Sequence, residues 1–203
     1  VAYLISQENK KKKISIKTAE RVLDAEIVGE KNVKINMGKA KFNWNEIPLS
    51  TEMNTEWVEI DFVKTTFLNK PHWSGDTHGF CLNIGNPHII YFVSDCSKIN
   101  IKELGPKIEN YKIFPERVNV TFASVLSDRK NIKVNVWERG AGQTKACGTA
   151  ACATAKAAWR KGLANENVDV HFKHGSLQID CATDNIFMTG SVSEIKKINL
   201  DIQ

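Results

Sequence analysis

Between Asn131 and Trp137 polar and apolar residues alternate one by one, which predicts a half-buried strand. The chain changes character at Gly148. From there to Lys161 it is rich in alanine, contains no proline, and runs into Gly162, a natural C-terminal stop. A helix is predicted over that stretch. Its alanines fall on several sides, so it should be buried, wrapped by a curved sheet. The eleven residues from Trp137 to Cys147 are then the turn that carries a strand into a helix.

Alternation recurs elsewhere, in a weak repeat. Ile14 to Ile27 followed by Val33 to Gly38 reads as strand, turn, strand, turn and a third short strand. Val168 to Asp180 followed by Asn185 to Gly190 follows the same plan. The second set comes after the alanine-rich helix, and Val1 to Ser6 would be the tail of the matching helix ahead of the first. Further strands are predicted at 57–63, 80–84, 88–93 and 118–122. Short helices are predicted at 99–104 and 106–111, and loops at 41–56 and 69–79, where Pro48, Pro71 and Gly75 stand.

Composition narrows the function classes. Hydrophobic residues make up 42% and charged residues 25%, as in an ordinary globular protein. The net charge of +5 raises the question of nucleic acid, but the lysines are scattered. The run Lys10 to Lys13 reads as a solvated turn, with no aromatic-rich RNA motif or helix-turn-helix pattern beside it. No apolar run approaches a membrane span, and no signal-peptide pattern is present. The five cysteines contain no CxxC and no finger-like pairing with histidine, so no metal site is expected and the cytoplasm is the expected compartment.

The candidate chemistry sits at Cys147, at the N-terminal tip of the predicted helix. Unpaired N–H groups and the positive end of the macrodipole favour an anion there. Such a site can lower a thiol's pKa and make it a nucleophile or a base. The N–H groups of Gly148 and Thr149 could also hold a substrate carboxylate. The bland alternative is a small buried residue. Cys152, five residues further on, is expected to be a packed thiol.

Three blocks carry a resemblance. Gly85-Asn-Pro-His88, Phe114-Pro-Glu-Arg-Val-Asn119, and Trp137-Glu-Arg-Gly-Ala-Gly with Ala146-Cys-Gly-Thr149 resemble, in order and spacing, those of the diaminopimelate epimerases. The resemblance covers essentially the whole chain. It implies an α+β fold of two pseudo-symmetric β-barrel-like domains, each around a central helix, with the active site in the cleft between them. It implies conversion of LL- to meso-diaminopimelate, in lysine and peptidoglycan biosynthesis, without a cofactor. Inverting a Cα needs a base on one face and an acid on the other. By resemblance Cys147 is one of two thiols, with Glu138 and His88 as the acid/base partners that tune the thiols. Asn86, Asn119, Glu138 and Arg139 hold the substrate with Gly148 and Thr149, and Arg139 suits the distal carboxylate. Read singly, Glu138 and Arg139 could be a strand-end ion pair, His88 a satisfied strand histidine, Asn86-Pro87 a turn, and Asn119 a backbone partner.

The family's first catalytic cysteine lies in a turn ahead of the first central helix, and the internal repeat places a twin of Cys147 upstream of Val1. The first domain is therefore expected to be incomplete, represented by residues 1–46 and 191–203, with 47–190 forming the second. As it stands the chain is not expected to complete a two-thiol inversion. A non-catalytic remnant that binds a diaminopimelate-like ligand or a partner chain is the alternative. The expected partner is the small amino-acid substrate, with a homodimer plausible and neither nucleic acid nor membrane involved.

Overall fold

Every alanine of the predicted helix is buried, because the rest of the domain is built around it. The computed structural model describes residues 1–18, 21–63 and 77–193. The elements follow in chain order: α1 (Ala2–Asn9), β1 (Lys13–Lys17), β2 (Val22–Ile27), β3 (Asn32–Lys39), β4 (Phe80–Asn83), β5 (Pro87–Phe92), α2 (Ile101–Glu109), β6 (Asn119–Val125), β7 (Asn131–Glu138), β8 (Gly142–Gln143), α3 (Gly148–Arg160), β9 (Asn167–Phe172), β10 (Gly175–Asp180) and β11 (Asn185–Ser191).

Helix α3 is the axis. Ala150, Ala151, Ala153, Ala155, Ala157 and Ala158 are all fully buried. With only methyl groups projecting, strands can close in on every side. β4, β5, β6, β7, β9, β10 and β11 all touch it. The helix ends where the glycine predicted. Gly162 has φ +69°, its N–H bonds to the Trp159 carbonyl at 2.9 Å, and that of Leu163 to the Ala158 carbonyl at 2.9 Å. That pair of bonds is a Schellman motif.

The strands form one sheet in the order β1-β2-β3-β11-β10-β9-β7-β6-β5-β4, with β8 paired to β7. Two neighbouring pairs are parallel, β5 with β6 and β7 with β9. Parallel neighbours need a long crossover, and α2 and α3 occupy those two connections. The curled sheet meets itself just past β3. Lys41 and Asn83 exchange backbone hydrogen bonds of 2.9 and 3.0 Å, joining the end of β3 to β4. The result is a β-barrel-like wrap around a central helix in an α+β fold, as the sequence led us to expect.

The repeat is visible in the topology. α1 is followed by the antiparallel meander β1-β2-β3, and α3 by the antiparallel meander β9-β10-β11. The last strands of the two meanders, β3 and β11, pair antiparallel with each other.

The near-continuous apolar run of β5 has a simple cause: the strand is buried on both faces. One face, with Phe80, Leu82, Ile90, Phe92, Ile132 and Ile179, packs on α3. The other, with Cys81, Ile89, Tyr91, Val120 and Phe122, packs under Ile101, Leu104 and Ile108 of α2.

Two expected elements come out differently. Residues 57–63 are no strand: Val58 makes one isolated bridge to Gly79, and the Val63 N–H turns back to the Ile60 carbonyl at 2.9 Å. Val58, Ile60 and Val63 are buried in the α2-side core, so the burial that mimics a strand's period comes from a bridge and coil running into helical residues 61–63. The two short helices at 99–104 and 106–111 are one helix, α2, with Pro106 inside it. Burial of Ile101, Leu104 and Ile108 on one side outweighs the lost backbone bond at the proline. Residues 41–56 form turns and coil as expected, whereas most of 69–79 lies outside the described residues.

Candidate active site

Cys147 is the N-cap of α3, in an extended conformation with φ −143° and ψ 112°. Strand β7 ends at Glu138 and, through β8 and the short turn after it, delivers the thiol to the helix tip. The N–H groups of Gly148 and Thr149, first in the helix, have no intrahelical carbonyl within reach. At 148 the backbone lies close to Met188, so that a Cβ there would sit 3.0 Å from its sulfur and would require that side chain to shift.

Four further predicted residues converge on the sulfur. Thr149 Oγ1 is 3.4 Å from Cys147 Sγ, and Asn86 Nδ2 donates to Thr149 Oγ1 at 3.3 Å. His88 Nε2 lies 3.0 Å from Asn86 Oδ1. The Glu138 carboxylate also acts on this thiol, favouring its protonated form. One assignment of protons satisfies the whole chain. His88 Nε2–H donates to Asn86, Asn86 to Thr149, and Thr149 to the sulfur. Nδ1 of His88 is then the bare nitrogen of a neutral imidazole, and it is indeed a buried atom without a partner.

Asn119 and Arg139 form a second pair beside this chain. Asn119 faces His88 across the β5–β6 ladder. Its side chain donates to the Pro87 carbonyl at 2.8 Å and accepts from the Arg139 N–H at 2.9 Å. The Arg139 guanidinium donates to the Glu116 carbonyl at 2.9 Å. Arg139 thus bonds to the Phe114–Asn119 block.

The electrostatics overturn one expectation. The helix tip was expected to lower the Cys147 pKa, yet burial pushes it up to about 11. The Thr149 hydroxyl and the Ala150 N–H favour the thiolate, but they are outweighed by desolvation, reinforced by the nearby Glu138 carboxylate. The resting state is a protonated thiol. His88 moves the opposite way, from 6.5 down to about 3, chiefly by burial and secondarily by the Arg139 charge.

The His88 shift implies an acid-limb prediction. The unfolded chain binds a proton at this histidine near its ordinary pKa, whereas the native state does not until about pH 3. His88 therefore contributes stability that is fully present above about pH 6.5 and is lost as pH falls toward 3. The slope approaches roughly 1.4 kcal/mol per pH unit. Urea midpoints measured from neutral to acid pH should show a flatter decline for His88→Gln than for the parent chain. Identical slopes would refute the shift.

Outside this site, His78 stacks on Trp57 and pairs with Glu59, and His171 pairs with Asn131, all in structural settings. His72 lies outside the described residues. Cys152 is fully buried within the core around α3, as expected. Among the described residues no helix is long and apolar enough to cross a membrane. One residue of the site escaped the sequence reading: Glu109, buried on α2 against the Trp137–Gly140 turn.

The family model for diaminopimelate epimerase matches residues 80–195, the stretch that holds every one of these groups. The chain belongs to the diaminopimelate epimerase family, a family of isomerases. It is 46% identical over 203 residues to the diaminopimelate epimerase of Pelagibacter ubique (strain HTCC1062), covering 100% of this chain and 72% of that protein. To the diaminopimelate epimerase of Wolbachia sp. subsp. Drosophila simulans (strain wRi) it is 38% identical over 194 residues, covering 95% and 69%. Among solved structures, one described as a predicted epimerase from Pseudomonas aeruginosa superposes with TM-score 0.63 at 17% identity, over 100% of this chain and 72% of that one. A phenazine biosynthesis protein of the PhzF family from Enterococcus faecalis gives 0.60 at 12% identity, over 94% and 66%. At those identities the likeness is one of fold.

Proposed function

We propose that this chain carries one side of a cofactor-independent, two-thiol epimerisation of LL-diaminopimelate to meso-diaminopimelate. The observation that carries this reading is the Cys147 thiol at the N-terminal tip of α3, linked through Thr149 and Asn86 to His88 and acted on by the Glu138 carboxylate. A raised thiol pKa suits an acid that must hold its proton until the carbanion forms, and Glu138 is placed to accept that proton when the thiol acts as the base. The substrate carboxylate binds the free N–H groups of Gly148 and Thr149. There the helix dipole also stabilises negative charge developing on the carboxylate as Cα loses its proton. Asn86 and Asn119 orient the amino-acid end, His88 keeps Asn86 in register, and Arg139 leaves the Glu116 carbonyl to meet the distal carboxylate.

The opposing thiol is assigned to a position outside residues 1–203. Cys81 and Cys96 are buried in the α2-side core, and Cys152 and Cys181 in the core around α3, so none of the four is free to reach the other face of a substrate. In the same reading residues 1–46 with 191–203 are one domain's share and 47–190 the other's, the whole acts as a homodimer, and five unbridged cysteines fit a reducing cytoplasm.

One experiment separates this reading from a non-catalytic ligand-binding one. LL- and meso-diaminopimelate are incubated with the chain in heavy water, while calorimetry follows binding. A single working thiol exchanges the Cα hydrogen of one stereoisomer, with retention. Binding without any exchange would favour the ligand-binding remnant.

A further inference from the structure

Glu109 is a carboxylate in an unexpected place. It lies on the inward face of α2 with Leu104, Gly105 and Ile108, and is only 5% exposed. Burying a carboxylate is costly unless its oxygens are satisfied, and a hydrophobic residue would often serve packing equally well. Here the oxygens are satisfied by one short segment and its neighbour. One oxygen accepts the Trp137 indole N–H at 2.7 Å. The other accepts the Gly140 backbone N–H at 2.9 Å and the Arg117 guanidinium at 3.3 Å.

Trp137 and Gly140 bracket the Glu138-Arg139 dipeptide. Gly140 has φ +75°, a conformation that other residues rarely adopt, so the chain turns sharply there. Helix α2 can come this close because residue 105 is glycine; a Cβ there would lie 2.5 Å from the Trp137 ring. From the opposite side, Asn119 holds the Arg139 N–H.

We infer that Glu109 is the positioning residue for Glu138, clamping the turn on both sides so that the Glu138 carboxylate meets the Cys147 thiol. The inference rests on the reading of Glu138 as the thiol's partner. It requires no catalysis to test.

Cys147 alkylation by iodoacetamide at mildly alkaline pH, quantified by peptide mass, reports how strongly the Glu138 carboxylate keeps the thiol protonated. Glu138→Gln should speed alkylation at least about threefold, as about half a pKa unit does. Glu109→Ala should speed it by a similar factor, and the double variant should be no faster than either alone. The milder Glu109→Gln, which keeps one acceptor and much of the packing, should move the rate the same way by less. If Glu109→Ala and Glu109→Gln leave the rate unchanged, Glu109 does not position Glu138. If either still speeds alkylation in the Glu138→Gln background, it acts by exposing the sulfur and the inference fails. A Glu138→Gln rate equal to that of the parent chain would instead overturn the pairing of Glu138 with Cys147, and with it the role given to Glu109.

Discussion

Cys147→Ser lowers exchange of the substrate Cα hydrogen by at least about a hundredfold, the lower end of what a positioned acid or base contributes. The change is close to isosteric, so the Thr149 contact to the side chain and the N-cap position can persist. A serine hydroxyl, however, holds its proton far more tightly than a thiol, and Glu138 alone is a weak base for it. Deuterium uptake followed by proton NMR in heavy water provides the measurement, with circular dichroism to show that the fold survives. Undiminished exchange in the serine variant would remove Cys147 from the reaction and undo the proposed mechanism.

Phe122→Ala should lower stability by about 3–5 kcal/mol, the usual cost of deleting a large aromatic ring from a packed core. Phe122 is fully buried and stacks on Tyr91, with ring centroids 5.3 Å apart and an interplanar angle of 21°. It lies on β6, the strand that presents Asn119 to Pro87 and Arg139, so the cavity opens close to the site. Urea denaturation should show a lower midpoint with little change of slope. By contrast Trp159→Ala, at a side chain 38% exposed, should cost far less than a full aromatic deletion. A Phe122→Ala loss no larger than that of Trp159→Ala would contradict the two-sided burial assigned to the β5–β6 pair.

Helix α3, its Gly162 stop and the two meanders were legible in the sequence because each rests on a local rule. Alanine spacing, a glycine at C′ and period-two alternation act over a few residues and are not easily overruled by distant ones. The site was legible for a related reason. Cys147, Glu138 and Arg139 lie within ten residues of one another, and the Asn86–His88 and Asn119 blocks sit at the ends of adjacent strands. Glu109 could have been found: it falls on the apolar stripe of Ile101, Leu104, Gly105 and Ile108, where a carboxylate demands partners. Splitting α2 at Pro106 hid that stripe. The segment 57–63 misled because buried positions in coil and the start of a helix can imitate a strand.

By itself, then, the sequence determined the buried central helix, the repeated helix-and-meander plan, the family blocks and the thiol at a helix tip. Tertiary structure alone decided that Lys41 meets Asn83 to close the wrap, that α2 runs through its proline, and that Glu109 reaches across to Trp137 and Gly140. It also decided the protonation of the site, where Cys147 rises and His88 falls. Local pattern can indicate a helix N-terminus and its dipole. How much water is stripped from a side chain depends on elements far away in the chain, and for these two groups that desolvation is the larger force.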